Sequence, residues 1–289
     1  MGSEGGDGPA GATASRTARP TRTELQARLD DLIRENRVTV AVVFPAVGSV
    51  LLVASAEGLL PPPLAFEPFT LLLGTLVMRS PLLVGMAPLI DRRAAVGVTA
   101  LAGYAYAVEF VGLRTGWPYG EFYYAIDLGP EVAGVPVGLP VFFLPLVGNA
   151  YLLCSLLLGE RARAARIRLP AVIGTVIAMD LVLDPGAVAL GFWAYPGGGP
   201  VYGVPLSNFA GWVLSATVTV LVLDAVLDRT ALLDRLATCE FALDDLVSFV
   251  LLWGAVNVYF ANWGAAAVAG LFGLGLLRAD RFDVPLDGR

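Results

Sequence analysis

PAVIGTVIAMDLVLDPGAVAL, Pro170–Leu190, decides the class of this protein, because its twenty-one residues are apolar except for Thr175 and two aspartates. A helix of that length, rising about 1.5 Å per residue, matches the ~30 Å hydrocarbon core of a bilayer. Asp180 and Asp184 stand four apart and so share one helix face. Each costs about 2.5–3.5 kcal/mol if left at mid-membrane, so a role in function is the first hypothesis for both. Two carboxylates this close in a low dielectric cannot both carry charge cheaply. Pro185, directly after the pair, removes a backbone donor, frees the Leu181 carbonyl and is expected to bend the helix there.

The rest of the chain agrees with that stretch. Of 289 residues, 56% are hydrophobic and only 15% charged, more apolar surface than a soluble domain of this size can bury. The expected fold is therefore all-α, a polytopic transmembrane helical bundle. All nineteen basic residues are Arg, histidine is absent and the net charge is -6. With no His and only Cys154 and Cys239, the usual imidazole and thiolate cages for zinc, copper or haem cannot be assembled, so no metal site is expected. Cys154 lies in an apolar segment and Cys239 in a polar loop, and no disulfide between them is expected.

Outward from Pro170–Leu190, further apolar segments run over Val38–Ala56, Phe69–Ile90, Ala94–Leu113, Leu139–Leu158 and Asn208–Leu227. The last stretch, Leu246–Leu277, is too long for one crossing. Asn257, Asn262 and Gly264 divide it, giving about eight spans, with seven as the alternative. Residues 1–20, rich in Gly, Ala, Ser and Thr, read as a disordered tail. Residues 21–37 carry Leu25, Leu29, Leu32 and Ile33 at helical spacing and read as an amphipathic surface helix. Residues 38–279 form the expected transmembrane catalytic domain, and 280–289 a C-terminal tail. Arginines cluster in Asp91–Arg93, Glu160–Arg168, the loop with Arg229 and Arg235, and Arg278–Arg281, all on one side, which makes both termini cytoplasmic by the positive-inside rule. The loops Arg114–Gly138 and Gly191–Ser207 are then external and hold most loop aromatics. GVPVGLPVFF (Gly134–Phe143) and GVPLSNFAGW (Gly203–Trp212) echo each other just before a span. Two readings stand: a duplicated helix pair, or two independent helix starts, where Pro is common.

Inside the spans the conspicuous ionisable residues are Arg79, Glu109, Asp180 and Asp184. Asp184 and Glu109 fall in the outer half of spans that run in the same direction. Arg79 and Asp180 both fall near mid-span, so an ion pair that merely locks two helices competes with a functional role for Arg79. Asn149 and Asn208 add neutral polar groups. A buried carboxylic acid beside a second carboxylate, with aromatics just outside, suits protonation of an apolar molecule arriving from the bilayer. The same residues suit a proton-coupled transporter. A magnesium-diphosphate prenyltransferase fits less well, since it wants two acidic motifs and basic partners on the cytoplasmic side. An intramembrane aspartyl protease lacks its Gly-x-Gly-Asp string here.

Four longer strings choose among these. EFVGLRTGWPYGEFYY (Glu109–Tyr124), GVPVGLP (Gly134–Pro140), DLVLDPGAVALGFWAY (Asp180–Tyr195) and YGVPLSNFAGW (Tyr202–Trp212) occur in that order. Together they resemble the CruF-type carotenoid hydratases, a family of polytopic membrane proteins. The pattern is matched at Glu109, Thr115, Gly116, Pro118, Asp180, Asp184, Pro185, Trp193, Asn208, Gly211 and Trp212. It departs at Tyr119, Tyr195 and Phe143, each one aromatic in place of another, which touches substrate detail rather than reaction class. The acidic, lysine-free composition leans towards the haloarchaeal branch. The resemblance implies a hydro-lyase that adds water to terminal C=C bonds of a fifty-carbon carotenoid, needing no cofactor. Asp180, Asp184 and Glu109 would be its catalytic acids and bases. Arg79, Tyr119, Tyr124, Asn149, Trp193, Asn208 and Trp212 would bind the substrate, with aromatic faces contributing about 0.5–2 kcal/mol each to a tertiary carbocation. The expected partners are the lipophilic carotenoid, membrane lipid and other membrane enzymes of the same pathway, with no nucleic acid.

Overall fold

A computed structural model describes Gly2 and residues 20–281 of the chain. The expected tails over 1–20 and 280–289 lie outside the described residues apart from Gly2, Pro20, Asp280 and Arg281. Ten α-helices carry the described fold: α1 (Arg22–Glu35), α2 (Phe44–Ala56), α3 (Pro68–Met86), α4 (Arg92–Thr115), α5 (Leu139–Leu158), α6 (Ala165–Leu190), α7 (Leu206–Val226), α8 (Arg229–Thr238), α9 (Asp244–Tyr259) and α10 (Trp263–Arg278). A π-helical turn, Thr39–Val43, leads directly into α2.

Six of these stretches are long and apolar enough to cross a membrane: Thr39–Ala56, Pro68–Leu89, Arg92–Thr115, Leu139–Arg163, Ala165–Leu190 and Leu206–Val226. Length and composition thus account for six of the expected eight. The difference falls on the final stretch, where α9 and α10 have only 16 residues each, about 24 Å of helix. They separate where the sequence placed the break. Ala261 turns the chain with φ 59°, and Asn262 bonds Asn257 Oδ1 at 3.0 Å and the Pro185 carbonyl at 3.1 Å. Asn257 itself reaches the Val182 carbonyl at 2.8 Å. The corner between α9 and α10 is therefore tied to α6 beside its proline, and α6 continues unbroken through Pro185.

α5 and α6 supply the densest part of the core, whereas α2, α3, α4 and α7 keep broad apolar faces outward. That division is what a bundle in lipid requires, since outward Leu and Val cost nothing there. One end of the bundle gathers the arginines. The capping box of Thr21 and Glu24 starts α1. Arg22 of that helix bonds the carbonyls of Ala87 and Ile90, and Asp30 pairs with Arg235 of α8 at 2.7 Å. Arg281 bonds the Cys239 carbonyl at 2.8 Å, so both ends of the described chain meet at this end. Cys154 and Cys239 are both buried and unpaired.

At the opposite end the two long loops meet. Strand β1 (Tyr123–Tyr124) pairs antiparallel with β4 (Trp193–Ala194). The echoed Gly-Val-Pro strings fold alike. In the hairpin of β2 (Glu131–Val132) and β3 (Val135–Pro136), Ala133 and Gly134 have φ 56° and 87°. Between Val201 and Val204 the corresponding Tyr202 and Gly203 have φ 53° and 87°. Both are two-residue turns with two left-handed centres. The order helix, strand, tight turn, helix thus occurs twice, in α4–α5 and in α6–α7.

Candidate active site

Asp184 lies six residues before the end of α6 and Glu109 six before the end of α4, each about 9 Å inside its helix terminus. The two loops beyond those termini return a tyrosine to each carboxyl group. Tyr195 OH donates to Asp184 Oδ2 at 3.2 Å, and Tyr124 OH donates to Glu109 Oε1. The β1–β4 pairing that joins the loops fixes both tyrosines at once. Burial holds the phenols of Tyr124 and Tyr195 well above their ordinary range, and the neighbouring carboxylates push the same way. Both therefore serve as hydrogen donors.

Asn208 enters from the first turn of α7. Its amide nitrogen donates to Asp184 Oδ2 at 2.5 Å and to Asp180 Oδ2 at 3.1 Å, so one residue bridges the i, i+4 pair. Asp180 is fully buried and its Oδ1 finds no hydrogen-bond partner among the described residues.

A cavity of about 590 Å³ opens in front of these groups. Glu109 and Asp184 line it, as do Tyr119, Tyr124, Trp193, Asn208 and Trp212. Trp212 stacks on Phe143 at 5.4 Å between ring centroids, and Tyr119 lies 6.3 Å from Trp212. Tyr119 OH shares a 2.7 Å hydrogen bond with Ser215, whose hydroxyl also meets Tyr104 at 3.1 Å. The ring of Tyr119 is pressed against α7 at Gly211, where a Cβ would come within 2.5 Å of it. That contact is the physical reason for glycine in the Asn-Phe-x-Gly-Trp string.

Two of the expected site residues do not reach the cavity. Asp180 does not line the cavity, and its carboxyl group is linked to the lining by the hydrogen bond from Asn208. Asn149 donates at 2.6 Å to Asp245 Oδ2, and the other oxygen of Asp245 takes Arg79 at 2.6 Å. Arg79 still lines the cavity, but its partner is Asp245 rather than Asp180, so the helix-locking pair weighed for it exists with a different carboxylate. Asp244 and Asp245 begin α9 fully buried; as a charged pair just before an apolar run they read as loop. Asp224 in α7 pairs with Arg168 at 2.7 Å, a partnership that no spacing in the sequence marks. In the sequence Tyr195 is one of the external-loop aromatics and a departure from Trp. The signal was present, because that exchange adds a hydroxyl eleven residues after Asp184.

A family model for carotenoid biosynthesis proteins matches residues 66–276, a range that holds Glu109, Asp184 and the tyrosine bonded to each. A bisanhydrobacterioruberin hydratase of Haloarcula japonica is 56% identical over 282 residues, covering 97% of this chain and 96% of that protein. No solved structure matches the chain. With the family match spanning most of the chain and the relative nearly all of it, this chain belongs to the carotenoid biosynthesis protein family.

Proposed function

We propose that this membrane enzyme is a carotenoid hydratase that adds water to the terminal C=C bonds of bisanhydrobacterioruberin, a fifty-carbon carotenoid, to give bacterioruberin. The observation that carries this reading is the pair Asp184 and Glu109, each anchored by a tyrosine and both facing one apolar cavity. The near full-length likeness to a hydratase supports the same conclusion.

In this reading Asp184 is the acid. Asp180 and Asp184, bridged by one amide and away from water, are cheapest with a single negative charge between them. The Asp184 proton goes to one alkene carbon, forming a C–H bond and leaving a tertiary cation on the other. Water attacks that carbon, a C–O bond forms, and the water's surplus proton goes to Glu109. Its return from Glu109 to Asp184 resets the site, and the net change is addition of one water. Trp193, Trp212 and Tyr124 present ring faces to the cation. Asp180 and Asn208 are positioning residues that hold Asp184. No step calls for a cofactor.

The same reading gives α9 and α10 the last two of eight crossings, in a multi-pass cell-membrane protein whose catalytic domain is 38–279. The arginine-rich end, with both termini, is cytoplasmic. Membranes containing the protein, incubated with candidate carotenoids, test the activity: a mass gain of one water supports it. Transfer of a prenyl unit, or transport without chemical change, would replace it by one of its rivals.

A further inference from the structure

The cavity is walled differently on its two sides. Around the carboxyl groups Tyr119, Trp212 and Phe143 pack ring against ring and close it. Towards α2 and α3 the wall is interrupted. Val43, Val47 and Leu51 line the cavity while remaining 46%, 51% and 43% exposed. Leu71, Gly74 and Met78 line it from α3. A Cβ at Gly74 would meet no heavy atom within 4 Å. Both helices belong to membrane-length spans, so this opening faces hydrocarbon; its α2 side is apolar but for Ser55, while α3 adds Thr70 and Thr75 between its apolar residues and Glu67 and Arg79 stand at the two ends of that row.

We infer that the seam between α2 and α3 is a lateral port through which the carotenoid slides end first, one end at the carboxyl groups and the rest of the polyene still in the bilayer. The inference rests on the hydratase reading above. Size argues for it: a cavity of about 590 Å³ falls in the range that encloses a drug-sized ligand. A fifty-carbon polyene is comparable in length with the ~30 Å hydrocarbon core itself and cannot be enclosed. An apolar port asks no desolvation of a molecule already dissolved in lipid. Water for the reaction has no such route through the seam and must come from the loop end. One consequence is that each visit treats one end, so a substrate with two reactive ends leaves after the first addition and returns for the second.

The test compares Gly74→Phe with Gly103→Phe in the full chain, in lipid nanodiscs. Gly103 on α4 is equally open at Cβ but does not line the cavity, so both variants add the same bulk, at the seam and away from it. Binding is read by carotenoid quenching of tryptophan fluorescence, since Trp193, Trp212 and Trp253 line the cavity. Turnover is read by mass. The port is supported if Gly74→Phe weakens both by about tenfold or more while Gly103→Phe stays within about twofold of the parent, with singly hydrated product appearing free before the doubly hydrated one. Parental binding and turnover in Gly74→Phe, or equal losses in both variants, overturn it. A parent protein that quenches but hydrates no carotenoid defeats the hydratase reading instead, and leaves the Gly74 comparison of binding to decide the port.

Discussion

Asn208 holds Asp184 at 2.5 Å and, with the same amide, Asp180 at 3.1 Å. A residue from α7 thereby sets the position of an acid pair on α6. Asn208→Ala removes both bonds at once and leaves Asp184 with its Tyr195 bond alone. Hydrogen bonds to charged groups contribute about 1.5–3 kcal/mol, so carotenoid hydration is expected to fall roughly ten- to a hundredfold. Asp180→Asn keeps the neighbour and changes only the group behind it, so its loss is expected to be smaller than that of Asp184→Asn. Initial rates for the three purified variants check this ranking.

Tyr195 and Tyr124 fill equivalent places, one on Asp184 and one on Glu109. Phenylalanine in either position keeps the ring packing against Phe122, which lies 6.2 Å from Tyr195 and 6.0 Å from Tyr124, and removes only the hydroxyl. Each single variant is expected to melt near the parent temperature and lose activity by about tenfold, the worth of one such bond. Intact activity in both would mean that the tyrosines only pack.

The Arg79–Asp245–Asn149 cluster makes a contrasting forecast, because its first effect is on stability. Arg79→Met leaves Asp245 charged and buried, at a cost of about 3–5 kcal/mol. The double variant Arg79→Met, Asp245→Leu removes both charges and is expected to regain most of the lost stability. Thermal melting in detergent separates the two outcomes, and a double variant no better than the single one would argue against a mainly electrostatic lock.

Much of this arrangement was legible from residues alone. Apolar runs located the six membrane-length helices because length and hydropathy are local properties, and the i, i+4 spacing of Asp180 and Asp184 put them on one face before any coordinate. The number of crossings is less legible, since the break at Ala261 leaves α9 and α10 with 16 residues each, shorter than the six membrane-length stretches. Partners were least legible of all. Arg79 finds Asp245 across 166 residues of chain, and no spacing rule connects a mid-span arginine with an aspartate at the start of another helix. Tyr195 joined the site for a similar reason. Its hydroxyl is aimed by the pairing of β1 with β4, a contact between two loops rather than a period within one.

The central claim is that Asp184 delivers the proton, and hydration by Asp184→Asn measures it most directly. The amide preserves the shape and can still meet Asn208 and Tyr195, but it has no proton to give to an alkene. General acids contribute about 10²–10⁴-fold, so membranes bearing folded Asp184→Asn protein at the parent level are expected to return the carotenoid with essentially no added water. Hydration at the parent rate by that variant would contradict the assignment.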